Sequence, residues 1–347
     1  MVSQSIKLGG TAAGISVGRV AHGLMMMTWR PNPASGPVSD EQAFEAIKAG
    51  VDALPAGTKM FLNSAEFYDN NWGPTNLQLL NRFFTKYPKY ADRTFLSVKG
   101  GMRGKPPHIT PDASLDYLRS SIDNILKELG PNKKVDLFEP ARIDRNLPIE
   151  TIMNNLVTLL EEGKFSHIGL SECNATTLRK AHAVYPVTAA EIEVSAWEYG
   201  ENQKAVIAAG TELNISVLAY SPLGQGFLTG QFKSAADIPQ GDARAGLDRF
   251  QEQNLRANVG IVEGLTSIAD KKGVPASQLC IAWVASLGPT VIPLPGSSKA
   301  SRTLENLQGG EVKLTEEELN AIGSVLAANP VAGDRYWGKH VDLHLWG

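Results

Sequence analysis

Cysteine is scarce in these 347 residues: Cys173 and Cys280 are the whole supply, and their spacing suits neither a metal site nor a disulfide framework. A chain of this length buries enough core to do without one, so both read as reduced, partly buried thiols. Charge is nearly balanced, at a formal net of -3, and no run of Lys or Arg makes a local exception. The chain therefore exerts no long-range pull on nucleic acid or anionic membrane. No apolar stretch reaches the ~20 residues a spanning helix needs, and no charged segment followed by an apolar one opens the chain as a leader would. The expectation is a cytoplasmic protein with a small-molecule partner. Two signatures are also missing. Without G-x-G-x-x-G an open dinucleotide-binding sheet loses its main support, and without G-x-S-x-G nucleophilic hydrolysis has none. His340 and His344 stand four apart but have no third ligand in view, so no metal is expected.

What is present is a rhythm. Apolar residues make up 43% of the chain, and short apolar runs alternate with longer amphipathic segments, the pattern of parallel strands joined by helices. After an N-terminal hairpin over 6–17, eight strands are predicted at 19–25, 58–63, 94–99, 135–139, 165–170, 187–192, 215–219 and 290–292. Helices are predicted at 40–49, 74–84, 112–129, 149–162, 175–183, 203–213 and 257–272. Ser39-Asp40-Glu41 and Thr110-Pro111-Asp112 supply caps and acids at two of the starts. Eight such units close into a (β/α)8 TIM barrel, here one domain over 1–347. Two segments exceed ordinary loop length, 224–250 and 330–347. The second carries Arg335, Tyr336, Trp337, His340, Leu345 and Trp346. Either it folds over the barrel mouth or it packs on the outside.

Catalytic groups of such barrels stand at the C-terminal ends of the strands. Those ends are polar here: Asn63 to Tyr68 after the second strand, Lys99 after the third, Glu139 to Arg142 after the fourth, then Ser171-Glu172, Glu191 with Glu193, and Tyr220-Ser221. A lysine at the strand end next to a tyrosine favours the phenolate and makes the phenol a better acid. Taken singly, Tyr68 reads equally as a packed loop aromatic and Lys99 as a solvated strand end.

At this point the chain resembles a known family. Phe61-Leu62-Asn63-Ser64-Ala65-Glu66-Phe67-Tyr68 is similar to the aldo-keto reductase segment F-D-T-A-x-x-Y, Ser97-Val98-Lys99 to its lysine strand, and Val135 to Glu139 to its D-L-Y/F-x strand. Ile168-Gly169-Leu170-Ser171 resembles I-G-x-S, Ala219 to Leu223 resembles Y-S-P-L, and Ile292 to Lys299 resembles the cofactor loop that ends in E-N, here Glu305-Asn306. The likeness runs in order from about Val17 to Ala327. Met27-Thr28-Trp29, Ala141-Arg142-Ile143-Asp144 and the Trp-rich tail resemble the fungal pyridoxal reductase-like branch.

The resemblance implies NADPH-dependent reduction of an aldehyde or ketone, with Tyr68 as proton donor and Lys99 lowering its pKa. It implies that Tyr220 stacks on the nicotinamide, that Ser171 bonds its carboxamide, and that Ser221, Pro222 and Leu223 continue the cofactor wall. The adenosine end is expected on Gly296, Ser297, Ser298, Lys299, Arg302, Glu305 and Asn306, where two cations suit a 2′-phosphate. Met25, Trp29, Arg142 and Trp337 are the expected substrate contacts.

Four positions depart from the family pattern. Asn63 stands where an aspartate would pair with the lysine, and Ala141 where a histidine would orient the carbonyl. Glu172 and Glu191 replace the asparagine and glutamine that hold the carboxamide, and an ionised carboxylate accepts without donating. Glu66, Glu139 and Glu193 are further carboxyls near the mouth, any of which could donate if burial kept it protonated. Two alternatives follow: a redirected or non-redox enzyme on the same scaffold acting on a fungal metabolite, or a non-catalytic NADP-binding regulatory protein.

Overall fold

The computed structural model describes residues 2–106, 108–337 and 343–347. His340, one half of the His340/His344 pair, lies outside them. The chain opens with β1 (Ser5–Lys7) and β2 (Ser16–Gly18), paired antiparallel as the predicted hairpin. Then come β3 (His22–Gly23), β4 (Met60–Ala65) and β5 (Thr94–Gly100). A second hairpin interrupts the series, β6 (Met102–Lys105) with β7 (His108–Pro111). The barrel resumes with β8 (Leu137–Pro140), β9 (His167–Ser171), β10 (Ala189–Glu193), β11 (Ser216–Tyr220) and β12 (Val291–Leu294).

Every neighbouring pair from β3 through β5 and β8 to β12 is parallel. The ring closes because Ala21 and Gly23 donate to the carbonyls of Pro293 and Pro295 at 2.9 and 3.0 Å. It is a (β/α)8 barrel. Ten helices surround it among the described residues: α1 (Asp40–Asp52), α2 (Thr75–Lys86), α3 (Leu115–Leu129), α4 (Ile149–Glu161), α5 (Ala175–Val184), α6 (Glu201–Leu213), α7 (Glu252–Lys272), α8 (Ala276–Ser286), α9 (Ala300–Gly309) and α10 (Glu316–Ala328).

The first predicted strand, 19–25, shrinks to two residues. Gly23 crosses the backbone of Gly296 so closely that a Cβ would sit 3.4 Å from its Cα, and the chain then turns into a 3-10 helix at Met25–Met27. The third helix begins later than predicted. Pro111 ends β7, Asp112 accepts from the Ser114 amide and hydroxyl at 3.0 and 2.6 Å, and Ser114 takes the N-cap position. At α1 the Ser39 hydroxyl accepts from the Gln42 amide at 3.3 Å, as the sequence implied.

Side chains alternate across a strand, and the inward set changes character along the barrel axis. At the N-terminal end Phe61, Phe95, Leu137, Ala189, Leu218 and Ile292 form one buried cluster, closed below by Leu8, Ala12 and Val17 of the hairpin region. Two residues on, the same faces carry Asn63, Ser97, Glu139, Glu191 and Tyr220. The outward set, including Leu62, Leu96, Val98, Phe138, Ile168, Leu170, Ile192 and Val217, packs against the helices. An apolar floor thus supports a polar upper layer. The 224–250 segment is folded around Trp197, whose ring lies 4.4 Å from Phe227 and 5.6 Å from Phe250. The end of the chain lies over the mouth: Gly347 donates to the Glu172 carbonyl at 3.1 Å, and Arg142 donates to the Leu343 carbonyl at 2.9 Å.

Candidate active site

β4 and β5 place Asn63, Tyr68 and Lys99 together. The Lys99 ammonium lies 5.2 Å from the centre of the Tyr68 ring and donates to Asn63 Oδ1 at 2.6 Å. Both Tyr68 and Lys99 are buried, 8% and 5% exposed. Lys99 is not left without a charge partner. Glu191 reaches across from β10 and accepts from Lys99 Nζ at 2.8 Å and from Asn63 Nδ2 at 2.6 Å. The family resemblance assigns Glu191 to the cofactor; its carboxylate is instead engaged by the amine.

Burial is the largest influence on Lys99 and works against its charge, yet Glu191, Tyr68 and Glu139 together hold its pKa above the ordinary value. Burial also dominates at Tyr68 and raises the phenol, Lys99 pulls it down, and Glu191 and Glu139 push it up, with a net rise. The expectation that Lys99 makes Tyr68 more acidic than a free tyrosine fails in this state, because burial raises the phenol by more than Lys99 lowers it, and Glu191 adds to the rise. The phenol is consequently protonated at neutral pH, which is the form a proton donor needs.

Glu139 faces the same layer from β8. It is fully buried, takes a hydrogen bond from Ser97 through Oε1, and has no partner for Oε2 among the described residues. Burial and the Glu191 charge push its carboxyl up to about 8, so it is mostly neutral at pH 7. The glycine of the I-G-x-S motif has a steric reason here: a Cβ on Gly169 would come 2.7 Å from Glu139 Cγ. Of the other two flagged carboxyls, Glu66 turns outward to Ser121 and Asn124 of α3 at 2.5 and 2.8 Å. Glu193 belongs to a second cluster.

That cluster centres on Arg335, which the sequence reading placed only in an aromatic tail. Its guanidinium donates to Glu193 at 2.8 Å, to both oxygens of Glu172 at 3.1 Å and to the Tyr220 hydroxyl at 2.9 Å. Tyr220 in turn donates to Glu172 at 2.6 Å and meets the Tyr336 hydroxyl at 2.9 Å. Glu172 and Ser221 adopt positive φ, +54° and +53°, at the ends of β9 and β11, a strain typical of functional loops. Ser171 is buried beside Glu191 in the β9–β10 register, Pro222 is buried, and Leu223 precedes a 3-10 turn.

Around Tyr68 the wall is aromatic. Trp29 lies 6.3 Å from its ring and 5.2 Å from Trp72, and Phe67 stacks on Trp72 at 5.1 Å. Trp72, at φ +60°, was not singled out from the sequence; its aromatic neighbours Phe67 and Tyr68 were the available signal. Ala141 is buried at the end of β8, Met25 is exposed, Arg142 also bonds the Ala141 carbonyl, and Trp337 is half exposed beside Tyr336.

The loop after β12 divides. Ser297 turns inward, its hydroxyl meeting His22 Nε2 at 3.0 Å and Thr303 at 2.6 Å, so it braces the loop and is not free to face a ligand. Burial drops the His22 imidazole to about 4, keeping it neutral. Gly296 and Lys299 are exposed, Arg302 pairs with Glu305 at 2.9 Å, and Glu305 also accepts from Ser277. Arg30, which follows the Met27-Thr28-Trp29 motif and was missed, points at the Ser298 hydroxyl at 3.4 Å and leaves Nε unpartnered among the described residues. Among the described residues, the buried Asn306 has no partner for Oδ1 and no side chain caps the start of α9. An orphaned acceptor, uncapped helix N–H groups and three cations suit an amine-bearing, phosphorylated nucleotide. A cavity of about 440 Å³ lined by Trp197, Tyr199, Trp283 and Leu326 lies apart from all these groups.

A (β/α)8 barrel whose mouth holds a buried tyrosine–lysine pair and whose last strand leads into a nucleotide-suited loop is an oxidoreductase scaffold. The chain belongs to the aldo/keto reductase family, whose model matches residues 19–327. It acts in the class of carbonyl and alcohol oxidoreductases that use a nicotinamide cofactor. It is 34% identical over 328 residues to "Probable pyridoxal reductase 2" of Schizosaccharomyces pombe, a match covering 93% of this chain and 96% of that protein. It is 33% identical over 299 residues to an aldo-keto reductase of Strobilurus tenacellus, covering 86% and 84%. Among solved structures, the glycerol dehydrogenase of Gluconobacter oxydans aligns with a TM-score of 0.79 at 21% identity over 96% of this chain and 98% of that one, a likeness of fold.

Proposed function

We propose that the chain reduces an aromatic aldehyde or ketone, pyridoxal or a carbonyl of similar shape, with NADPH, as a single-domain cytoplasmic enzyme. The observation that carries this reading is the contact between the buried Tyr68 phenol and the Lys99 ammonium at the barrel mouth. NADPH supplies the hydride when bound. Tyr68 O–H gives its proton to the carbonyl oxygen as charge develops there, and the Lys99 ammonium stabilises the phenolate left behind. Ser298, Lys299, Arg302 and Asn306, with Arg30, would hold the adenosine and phosphate end. Two or more cations favour the 2′-phosphate over a hydroxyl.

Trp29, Phe67 and Trp72 offer flat apolar faces to the substrate, and Ala141 leaves room where a histidine would stand. That combination supports an aromatic ring with substituents over a small aliphatic aldehyde. The missing histidine removes one donor to the oxyanion, a loss of roughly 3 to 4 kcal/mol in comparable sites. The rate is therefore expected to rest more heavily on Tyr68.

The test is a fluorescence titration of the purified chain with NADPH and NADH, followed by loss of NADPH absorbance with pyridoxal and a panel of aromatic aldehydes. Tighter NADPH binding with turnover is the expected result. Binding without turnover on any carbonyl would overturn the reductase reading in favour of a regulatory or redirected protein.

A further inference from the structure

We infer that Glu191 is a positioning residue that carries, from the far side of the barrel, the negative charge that Asn63 lacks, and that it holds the Lys99 ammonium in place beside Tyr68. This deepens the reductase reading and rests on it. β10 is separated from β4 and β5 in the sheet order by β9 and β8, so the pairing spans the barrel interior. Three contacts define it: Lys99 Nζ to Glu191 Oε1 at 2.8 Å, Lys99 Nζ to Asn63 Oδ1 at 2.6 Å, and Asn63 Nδ2 to Glu191 Oε2 at 2.6 Å.

The triangle accounts for both departures at once. An amide at 63 can accept from the amine and simultaneously donate to a carboxylate; an aspartate there could not donate and would repel Glu191. A carboxylate at 191 needs two buried donors, and Lys99 and Asn63 provide them, each nearly excluded from solvent with it. A buried ammonium with only a neutral amide for company would tend to lose its proton. With Glu191 present it keeps the charge and faces the ring.

The groups around Lys99 come from every packed element. Asn63 and Tyr68 face it from β4 and the loop after it, Glu139 from β8, and Glu191 from β10; Ser97, on Lys99's own strand, is bonded to Glu139. Cys173, just past β9, is buried and its thiol is pushed up to about 12, so it carries no charge into the cluster. Among the described residues, removing the Glu191 charge leaves Glu139 as the carboxyl acting on Lys99, and Glu139 is bonded to Ser97 and makes no hydrogen bond to the amine.

The experiment compares the full chain with Glu191→Gln and with Asn63→Asp/Glu191→Gln, which returns a carboxylate oxygen to the spot where Asn63 Oδ1 already meets the amine. The Lys99 resonance is followed by NMR of 13Cε-lysine protein, assigned by its loss in Lys99→Arg, alongside the pH profile of kcat and NADPH affinity by fluorescence. In Glu191→Gln, Lys99 should titrate at lower pH, kcat should fall about a hundredfold, the alkaline limb should move down, and NADPH affinity should hold. The double variant should recover all three to within a few-fold of wild type. A purely structural glutamate would move none of the pH values.

An unshifted Lys99 resonance and alkaline limb in Glu191→Gln overturn the inference. So does loss of NADPH affinity with kcat kept at saturation, which would return Glu191 to the cofactor. If Glu191→Gln does not fold, the double variant decides: a Lys99 titration and a kcat unlike wild type overturn it. If wild type itself reduces no carbonyl, the reductase reading fails, and the Lys99 titration alone decides whether Glu191 holds the ammonium.

Discussion

Replacing Glu139 by glutamine should stabilise the protein in alkaline solution and leave it almost unchanged in mild acid. The carboxyl stands at about 8 in the fold against 4.5 for an exposed side chain, raised first by burial and then by Glu191. A group held protonated by the fold adds stability that is complete below about pH 4.5 and is lost as pH climbs through about 8. At ~1.4 kcal/mol for each pH unit, the loss amounts to roughly 3 to 5 kcal/mol by about pH 9. Glutamine is neutral throughout, keeps an oxygen for the Ser97 hydroxyl, and replaces the ionisable Oε2, which has no partner among the described residues. Urea unfolding of wild type and Glu139→Gln at about pH 5 and about pH 9 measures the effect. The difference between the two proteins should grow in the variant's favour by that amount. A difference that stays constant across this range would refute a protonated Glu139.

Arg335→Ala should cost about 3 kcal/mol in denaturant unfolding, because it removes the guanidinium bonded to both Glu172 and Glu193, at 0% and 2% exposure, and leaves Arg142 and Arg249 to offset part of their charge. Arg335→Lys should recover little of it, since one ammonium cannot reproduce the fork that reaches Glu172, Glu193 and Tyr220 together. At the loop after β12, Lys299→Ala/Arg302→Ala should weaken NADPH binding tenfold or more, at ~1.5 to 3 kcal/mol per hydrogen bond to a charged group, and leave NADH binding nearly unchanged. Fluorescence titration with both nucleotides gives the ratio.

The barrel was legible in the sequence because its strands alternate with helices of clear period, and the motif residues stood at the strand ends where such barrels keep their chemistry. The second hairpin was not legible: Arg103, Gly104, Lys105 and His108 supply no apolar alternation, and its strands sit on the surface. α8 was missed for the opposite reason. Ala276–Ser286 is buried nearly all round, so it shows no polar face to mark its period. At the site, Tyr68 with Lys99 could be read from adjacent strands. Glu191 was assigned by its place in a motif, whereas its partner is set by the diameter of the barrel, a distance that linear spacing does not carry. Arg335 lies 142 residues from Glu193 along the chain. Two acidic residues at neighbouring strand ends, Glu172 and Glu193, were the only hint that a cation must arrive from elsewhere.

The most direct test of the proposed chemistry is the single-turnover rate of NADPH oxidation with pyridoxal in wild type and Tyr68→Phe, with nucleotide affinity measured in parallel. The phenol's removal should slow the chemical step by about 10² to 10⁴-fold while NADPH binding stays within a few-fold. A Tyr68→Phe protein that still reduces pyridoxal at the wild-type rate would contradict the assignment of that hydroxyl as the proton donor.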